Sequence, residues 1–229
     1  CSSDLEHNYW RINQTFDAVY SAPSLQVPWY NCAGNHDWAG REASIQHQIE
    51  LSLLSDRWVM PSALYTFTKT MASGKTAKFV MFDHLMLKKH FVYEPLQTRL
   101  HNAKMEGVEW DDHSITDREA GWAWLEQELA NSQDDYLFVI DHHPVFTVCS
   151  HGNTEELEGL PALMTRYGVT AFFSGHDHCN VHSRKDGTSY ILVGAASQSW
   201  NDNRNEETLA EMGVEVQFSI HRHNKDHVR

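Results

Sequence analysis

The sequence predicts an α/β fold in which helices flank a sandwich of buried strands. Three observations predict it: short apolar runs without alternation, helical stretches set between them, and three polar turns that each follow one of those runs. Apolar runs of that kind read as strands covered on both faces. Their alternation with helices indicates layered α/β architecture.

The strand candidates are "VPWYNCA", "AKFVMF", "YLFVI", "VTAFF" and "SYILVGAA". Residues 6–20 carry Ile12, Phe16 and Val19 at helical spacing, and residues 41–58 place Ile45, Ile49 and Leu53 on one stripe. Thr116-Asp117-Arg118-Glu119 forms a capping box that opens a helix with Trp122, Leu125 and Leu129 on one face. A shorter helix spans about Leu160 to Tyr167, with Pro161 in its first turn and Gly168 just past its end. Lys88 to Asp112 fits neither period and reads as a polar, surface-exposed excursion. No Pro/Gly/Ser-rich linker and no repeat divides the chain, so residues 1–229 read as one domain.

Bulk properties exclude several function classes. With 18 basic and 31 acidic residues the net charge is −13, which argues against nucleic acid as the main partner. Sixteen histidines would cancel much of that charge in mild acid. The apolar runs are too short for a membrane span. The opening "CSSDLEHNYW" lacks an initiator Met, a basic region and an apolar region, as a processed chain or a fragment would. Cys1, Cys32, Cys149 and Cys179 make neither a dense disulfide framework nor a zinc CxxC pattern. Cys32 reads as a core thiol in a buried strand, and Cys149 and Cys179, each after a His-bearing turn, leave a disulfide open. Asn13-Gln14-Thr15 is a glycosylation sequon.

The polar turns carry the chemistry. "WYNCA" runs into Gly34-Asn35-His36-Asp37, "YLFVI" into Asp141-His142-His143-Pro144, and "VTAFF" into Ser174-Gly175-His176-Asp177-His178. Open α/β folds place their ligand crevice beyond the carboxyl ends of strands. Three loops can therefore deliver several imidazoles and one amide to a common point, a donor set suited to zinc, iron or manganese. In an extended backbone His176 and His178 would project the same way and serve adjacent ions. Gly34 and Gly175 permit sharp turns and close backbone approach. Asp37, Asp141, His143 and Asp177 are candidates for orienting the ligands. His84, His90, His101, His113 and the histidines of the carboxyl-terminal "HRHNKDH" are assigned to structural or solvated positions.

"GNHD", a central "HHP" and "GHDH", in that order, resemble the last three metal-binding motifs of calcineurin-like metallophosphoesterases. The surrounding segments, "VPWYNCAGNHDWAG", "DDYLFVIDHHPVF" and "YGVTAFFSGHDH", resemble the small tartrate-resistant type of purple acid phosphatase, over about residues 10–200. The resemblance implies a metallophosphoesterase-type β-sandwich flanked by helices. It also implies acid phosphatase chemistry: phosphomonoester hydrolysis by a metal-bound hydroxide at a dinuclear centre of iron plus a divalent ion (iron, zinc or manganese). In that likeness Asn35, His142 and His176 bind the divalent ion, His178 binds ferric iron, and His36 faces the substrate and protonates the leaving alkoxide. It further implies a small phosphorylated substrate and a secreted or lysosomal/vacuolar location. A phosphodiesterase of the same superfamily, or an inactive scaffold lacking half the metal site, is the alternative.

Two departures stand out. The family shows Gly-His-Tyr-Pro at the central motif, so Asp141 and His143 occupy the Gly and Tyr positions. The family's first two motifs, an aspartate and Gly-Asp-x-x-Tyr, have no counterpart before "GNHD", and the closing strands are not matched either. On that reading the sequence is a fragment incomplete at both ends, and residues 1–229 alone are expected to be inactive or nearly so.

Overall fold

The computed structural model describes residue 10 and residues 12–38, 41–89, 106–110, 118–194 and 205–220. In chain order the strands are β1 (Trp29–Tyr30), β2 (Trp58–Val59), β3 (Leu64–Thr70), β4 (Thr76–Phe82), β5 (Val108–Trp110), β6 (Tyr136–Ile140), β7 (Ala171–Ser174), β8 (Asn180–Lys185), β9 (Thr188–Val193) and β10 (Glu215–Ile220). The α-helices are α1 (Arg41–Leu54), α2 (His84–Lys89), α3 (Arg118–Ala130), α4 (Leu160–Arg166) and α5 (Glu206–Glu211).

Eight strands form one mixed sheet in the order β10-β8-β9-β7-β6-β4-β3-β5, and β1 pairs with β2 in a separate parallel ribbon. At its centre β4, β6, β7 and β9 run parallel. Parallel neighbours need crossover connections. Helix α3 lies between β4 and β6 in sequence, and α4 between β6 and β7. The outer strands are antiparallel. Because β4, β6 and β7 are adjacent and parallel, the loops after all three emerge at the same edge of the sheet.

Side chains alternate across a strand, so the two faces differ. Val80 pairs with Val139, and Val139 with Phe172, and all three are buried beneath the helices. Trp122 of α3 meets Phe82 edge-on at 5.4 Å, and Leu125 and Leu129 are buried as expected. The opposite face carries a stacked ladder, Tyr30 on Phe67 at 3.7 Å, Phe67 on Phe79 at 4.7 Å and Phe79 on Phe138 at 4.9 Å. Phe79 and Phe138 are only half-buried, so β6 alternates between buried and half-buried positions instead of being covered equally on both faces. The α/β class is as expected. Of the layers a sandwich implies, the described residues supply the large sheet, its helices and the β1–β2 pair.

Several boundaries differ from the sequence expectation. Of the expected helix over 6–20, residues 1–9 lie outside the described residues, and Asn13–Asp17 form a single π-turn. Phe16 is its buried residue, packed edge-on to Trp29 and Trp58, while Val19 is exposed. Helix α1 ends at Leu54, with Leu53 exposed, because the following Arg57 is buried and drawn back to Asp17 at 2.5 Å and to the Tyr20 carbonyl at 2.6 Å. Ile45 and Ile49 are fully buried. The "VPWYNCA" run makes only the two-residue β1, so Cys32 lies just past a strand and not within one. Within Lys88–Asp112, Val108–Trp110 pair with β3 as an edge strand; His90 to Met105 and Asp111–Asp112 fall outside the described residues. So do His101, His113, Thr116, Asp117 and the carboxyl-terminal histidines.

Candidate metal centre

The turn after β1 brings Asn35 to the edge of the sheet where β6 delivers His142 and β7 delivers His176. The Asn35 Oδ1 lies 2.8 Å from His142 Nε2 and 3.2 Å from His176 Nδ1, and the two nitrogens are 3.3 Å apart. Three donors from positions separated by as many as 141 residues thus form a small triangle. Imidazole and amide donors about 2.0–2.1 Å from a tetrahedral ion sit at roughly such spacings. The residues present fit a metal ion.

His178 joins the same cavity without joining the triangle. The expected extended His-x-His does not form: His176 has φ 67°, in the left-handed region, so the chain turns between the two rings. The cavity is open, about 320 Å³, and is walled by Asn35, His36, His142, His151, His176 and His178. His151 escaped the sequence reading. Its Nδ1 donates to Asp177 at 2.7 Å and its ring lies 4.5 Å from that of His176. The available signal was a His-Gly two residues past Cys149, too slight among sixteen histidines.

Each carboxylate near the triangle is hydrogen-bonded into its surroundings. Asp37 accepts the Gly34 N–H and the Gln48 side-chain amide of α1, both at 2.8 Å, which closes the first turn. Asp177, fully buried, accepts the Thr147 hydroxyl at 2.7 Å as well as His151. Asp141 accepts the His143 N–H at 3.2 Å and faces the His84 Nδ1 at 2.8 Å. His84 is therefore a buried member of the site's surroundings and not a solvated surface group. His143 lies 4.0 Å from the His176 ring and edge-on to His142 at 4.8 Å. Cys149 and Cys179 form a disulfide, tying the His151 loop to the residue after His178. Cys32 is a free thiol pushed well up by burial and by the charges of Asp83, Asp141 and Asp37.

Burial shapes the protonation of His142 and His176. Burial lowers His142 despite the nearby Asp141 charge, and burial, then His142 and His151, lowers His176 to about 4. Burial thus favours the neutral imidazole at both positions.

Residues 6–180 match the model of the calcineurin-like phosphoesterase family. The chain belongs to that family. It is 34% identical over 195 residues to tartrate-resistant acid phosphatase type 5 of Oryctolagus cuniculus, covering 82% of this chain and 55% of that protein. The Homo sapiens protein of that name is 33% identical over 195 residues, with the same coverage. Purple acid phosphatase 17 of Arabidopsis thaliana is 28% identical over 205 residues, covering 86% of this chain and 56% of its own length. The chain thus spans about half the length of the curated relatives it matches. Among solved structures, one titled "GAP50 the anchor in the inner membrane complex of Plasmodium" shares the fold, with a TM-score of 0.62 at 19% identity over 84% of this chain and 57% of that one. This calcineurin-like phosphoesterase chain thus carries, in its described residues, a donor triangle consistent with the metal centre its family implies.

Proposed function

We propose that the chain carries the catalytic centre of an acid phosphatase-type metallohydrolase that acts on small phosphomonoesters. The observation that carries this reading is the Asn35–His142–His176 triangle, open to a cavity with further imidazoles on its wall. The likeness to acid phosphatases over four-fifths of the chain supports the same reaction class. Asn35, His142 and His176 would hold a divalent ion, and His178 would be a ligand of a second ion, iron by resemblance. When bound, such ions supply Lewis-acid stabilisation of the charge developing at phosphorus and an acidified water.

The chain's own residues do the rest. His36, on the cavity wall, would give a proton to the departing alkoxide oxygen. His151, hydrogen-bonded to Asp177 through Nδ1 and lining the cavity, would offer its other ring nitrogen to a phosphoryl oxygen. Asp37 and Asp177 hold the loops that carry Asn35 and His176. The disulfide and the exposed Asn13 of the sequon fit a secreted or lysosomal/vacuolar location, where disulfides persist.

The test compares p-nitrophenyl phosphate with bis(p-nitrophenyl) phosphate, using the chain and any longer product of its reading frame loaded with iron, zinc or manganese. Preference for the monoester below neutral pH supports the proposal. Preference for the diester, or a rate that climbs steadily into alkali, would assign a phosphodiesterase instead.

A further inference from the structure

We infer that His84, Asp141 and His143 form a second cation site, outside the ligand set that the family resemblance implies, and that it takes a zinc-class divalent ion. The inference does not depend on the phosphatase reading of the neighbouring centre.

The loops after β4 and β6, adjacent parallel strands, bring the three residues together. One ligand atom from each lies within 4.8 Å of the other two. The His84 Nδ1 sits 2.9 and 2.8 Å from the two Asp141 carboxylate oxygens, a position astride both. Both side chains are almost wholly buried, at 4% and 0% exposure. The His143 ring meets His84 edge-on at 4.9 Å.

Charge supplies the independent argument. Asp83, fully buried beside them, accepts the Trp38 indole N–H at 2.7 Å and the Leu85 N–H at 3.0 Å. Asp83 and Asp141 are thus two buried carboxylates, and among the described residues neither has a lysine or arginine partner. Buried charges are paired or coordinate metals. A single imidazolium carries one positive charge, whereas a divalent cation carries two.

The donor set is also the right kind. Two imidazoles and one carboxylate are a three-ligand set that zinc uses with its fourth position open to water. His143 lies within ligand reach of both groups, His142 and His176 on one side and His84 and Asp141 on the other, and the Asn35–His142–His176 triangle has three donors at 2.8–3.3 Å without it. Asp141 and His143 are the two positions at which the central motif departs from the family's Gly-His-Tyr-Pro, and both fall in this trio.

The test is a Zn²⁺ and Co²⁺ titration of metal-stripped chain, read by elemental analysis and by the visible absorption of bound cobalt, with circular dichroism to confirm folding. N35A/H176A removes the first centre, and that variant should still bind one equivalent. Adding H84Q, or independently H143Y, which restores the family residue at a half-buried position, should abolish it. A wild type that holds a single equivalent, lost in N35A/H176A, overturns the second site while leaving the Asn35 centre intact. An equivalent that survives both H84Q and H143Y in folded protein overturns it as well.

Discussion

Gly34→Ala probes how closely the backbone of the first motif approaches a proposed metal ligand. A Cβ at Gly34 would lie 2.7 Å from both Cε1 and Nδ1 of His142 and 2.9 Å from its Cγ. That is about 0.7 Å inside the 3.4 Å at which ordinary contact begins, on the steep repulsive side of the van der Waals well. The imidazole has to move, and its neighbours oppose that. Its Nε2 is 2.8 Å from Asn35 Oδ1 and 3.3 Å from His176 Nδ1, and His143 and His176 lie edge-on to its ring. Metal–ligand distances tolerate only about 0.2 Å, so the required shift exceeds the tolerance several-fold. Overpacking of this kind costs roughly 1–3 kcal/mol of stability. Metal affinity should fall by at least the roughly 10–100-fold typical of a disturbed ligand orientation.

Gly175→Ala is the matched control. Both glycines looked equivalent in the sequence, yet a Cβ at Gly175 comes no nearer than 3.8 Å to the same ring. Neither glycine has positive φ, so backbone strain does not confuse the comparison. Zinc titration of metal-stripped protein against a chromophoric chelator, with a thermal melt of each variant, separates affinity from stability. G34A should lose affinity and G175A should keep it. Equal affinities in G34A and wild type, or equal losses in both variants, would refute the steric argument.

His36→Ala should lower turnover by roughly 10²–10⁴-fold with metal content unchanged; loss of metal in elemental analysis would make His36 a ligand. In metal-stripped protein Asp83, ordinarily near 3.8 and raised to about 7, ionises later in the folded chain than in the unfolded one. Its contribution to stability is therefore complete below pH 4 and is lost as pH rises toward 7, and urea melts of Asp83→Asn should show that limb flattened. Phe172→Ala, at 1% exposure, should cost about 3–5 kcal/mol, and Phe138→Ala on the half-buried face clearly less, as measured by chemical denaturation. Reducing Cys149–Cys179, which closes a 30-residue separation, should cost about 3–4 kcal/mol on the chain-entropy model and lower the melting temperature accordingly.

The sequence made the parallel centre of the sheet legible because β4, β6 and β7 are buried by residue type alone, and helices α3 and α4 carry clear start and stop chemistry. It hid β3, "LYTFTKT", whose threonines and lysine dilute the apolar signal even though Leu64 and Tyr65 are almost inaccessible. Edge strands β5 and β10 were hidden for a related reason: one partner suffices for them, so little of their composition has to be apolar. At the site, Asn35, His142 and His176 could be grouped because each follows an apolar run. His151 and His84 could not. Each depends on a carboxylate far away in sequence, 26 residues for His151–Asp177 and 57 for His84–Asp141, and only the fold brings those pairs together. Leu53 failed for the opposite reason, since helical periodicity marks a stripe but not where the helix ends, and Val19 lies past the Asn13–Asp17 π-turn, exposed.

If His142 and His176 hold a metal ion as proposed, the balance of burial against charge at these imidazoles sets the pH range in which they can do so. Asp141 and Asp177 lie next to His142 and His176 and favour the charged imidazolium. Burial opposes them and wins at both positions, reinforced at His176 by the neighbouring rings of His142 and His151. At pH 5 an imidazole with the ordinary value near 6.5 is only about 3% neutral, whereas one held at about 4, as His176 is, is roughly 90% neutral. That thirty-fold gain in lone-pair availability, about 2 kcal/mol of metal affinity, exists before any ion arrives. A centre built on solvent-exposed histidines would release its metal as the medium acidified through pH 6. At His176 burial keeps the lone pair available in acid, so metal held through it should be retained, in dialysis between pH 7 and 4, to a lower pH than ordinary histidines near 6.5 would allow; release near 6.5 would refute the argument.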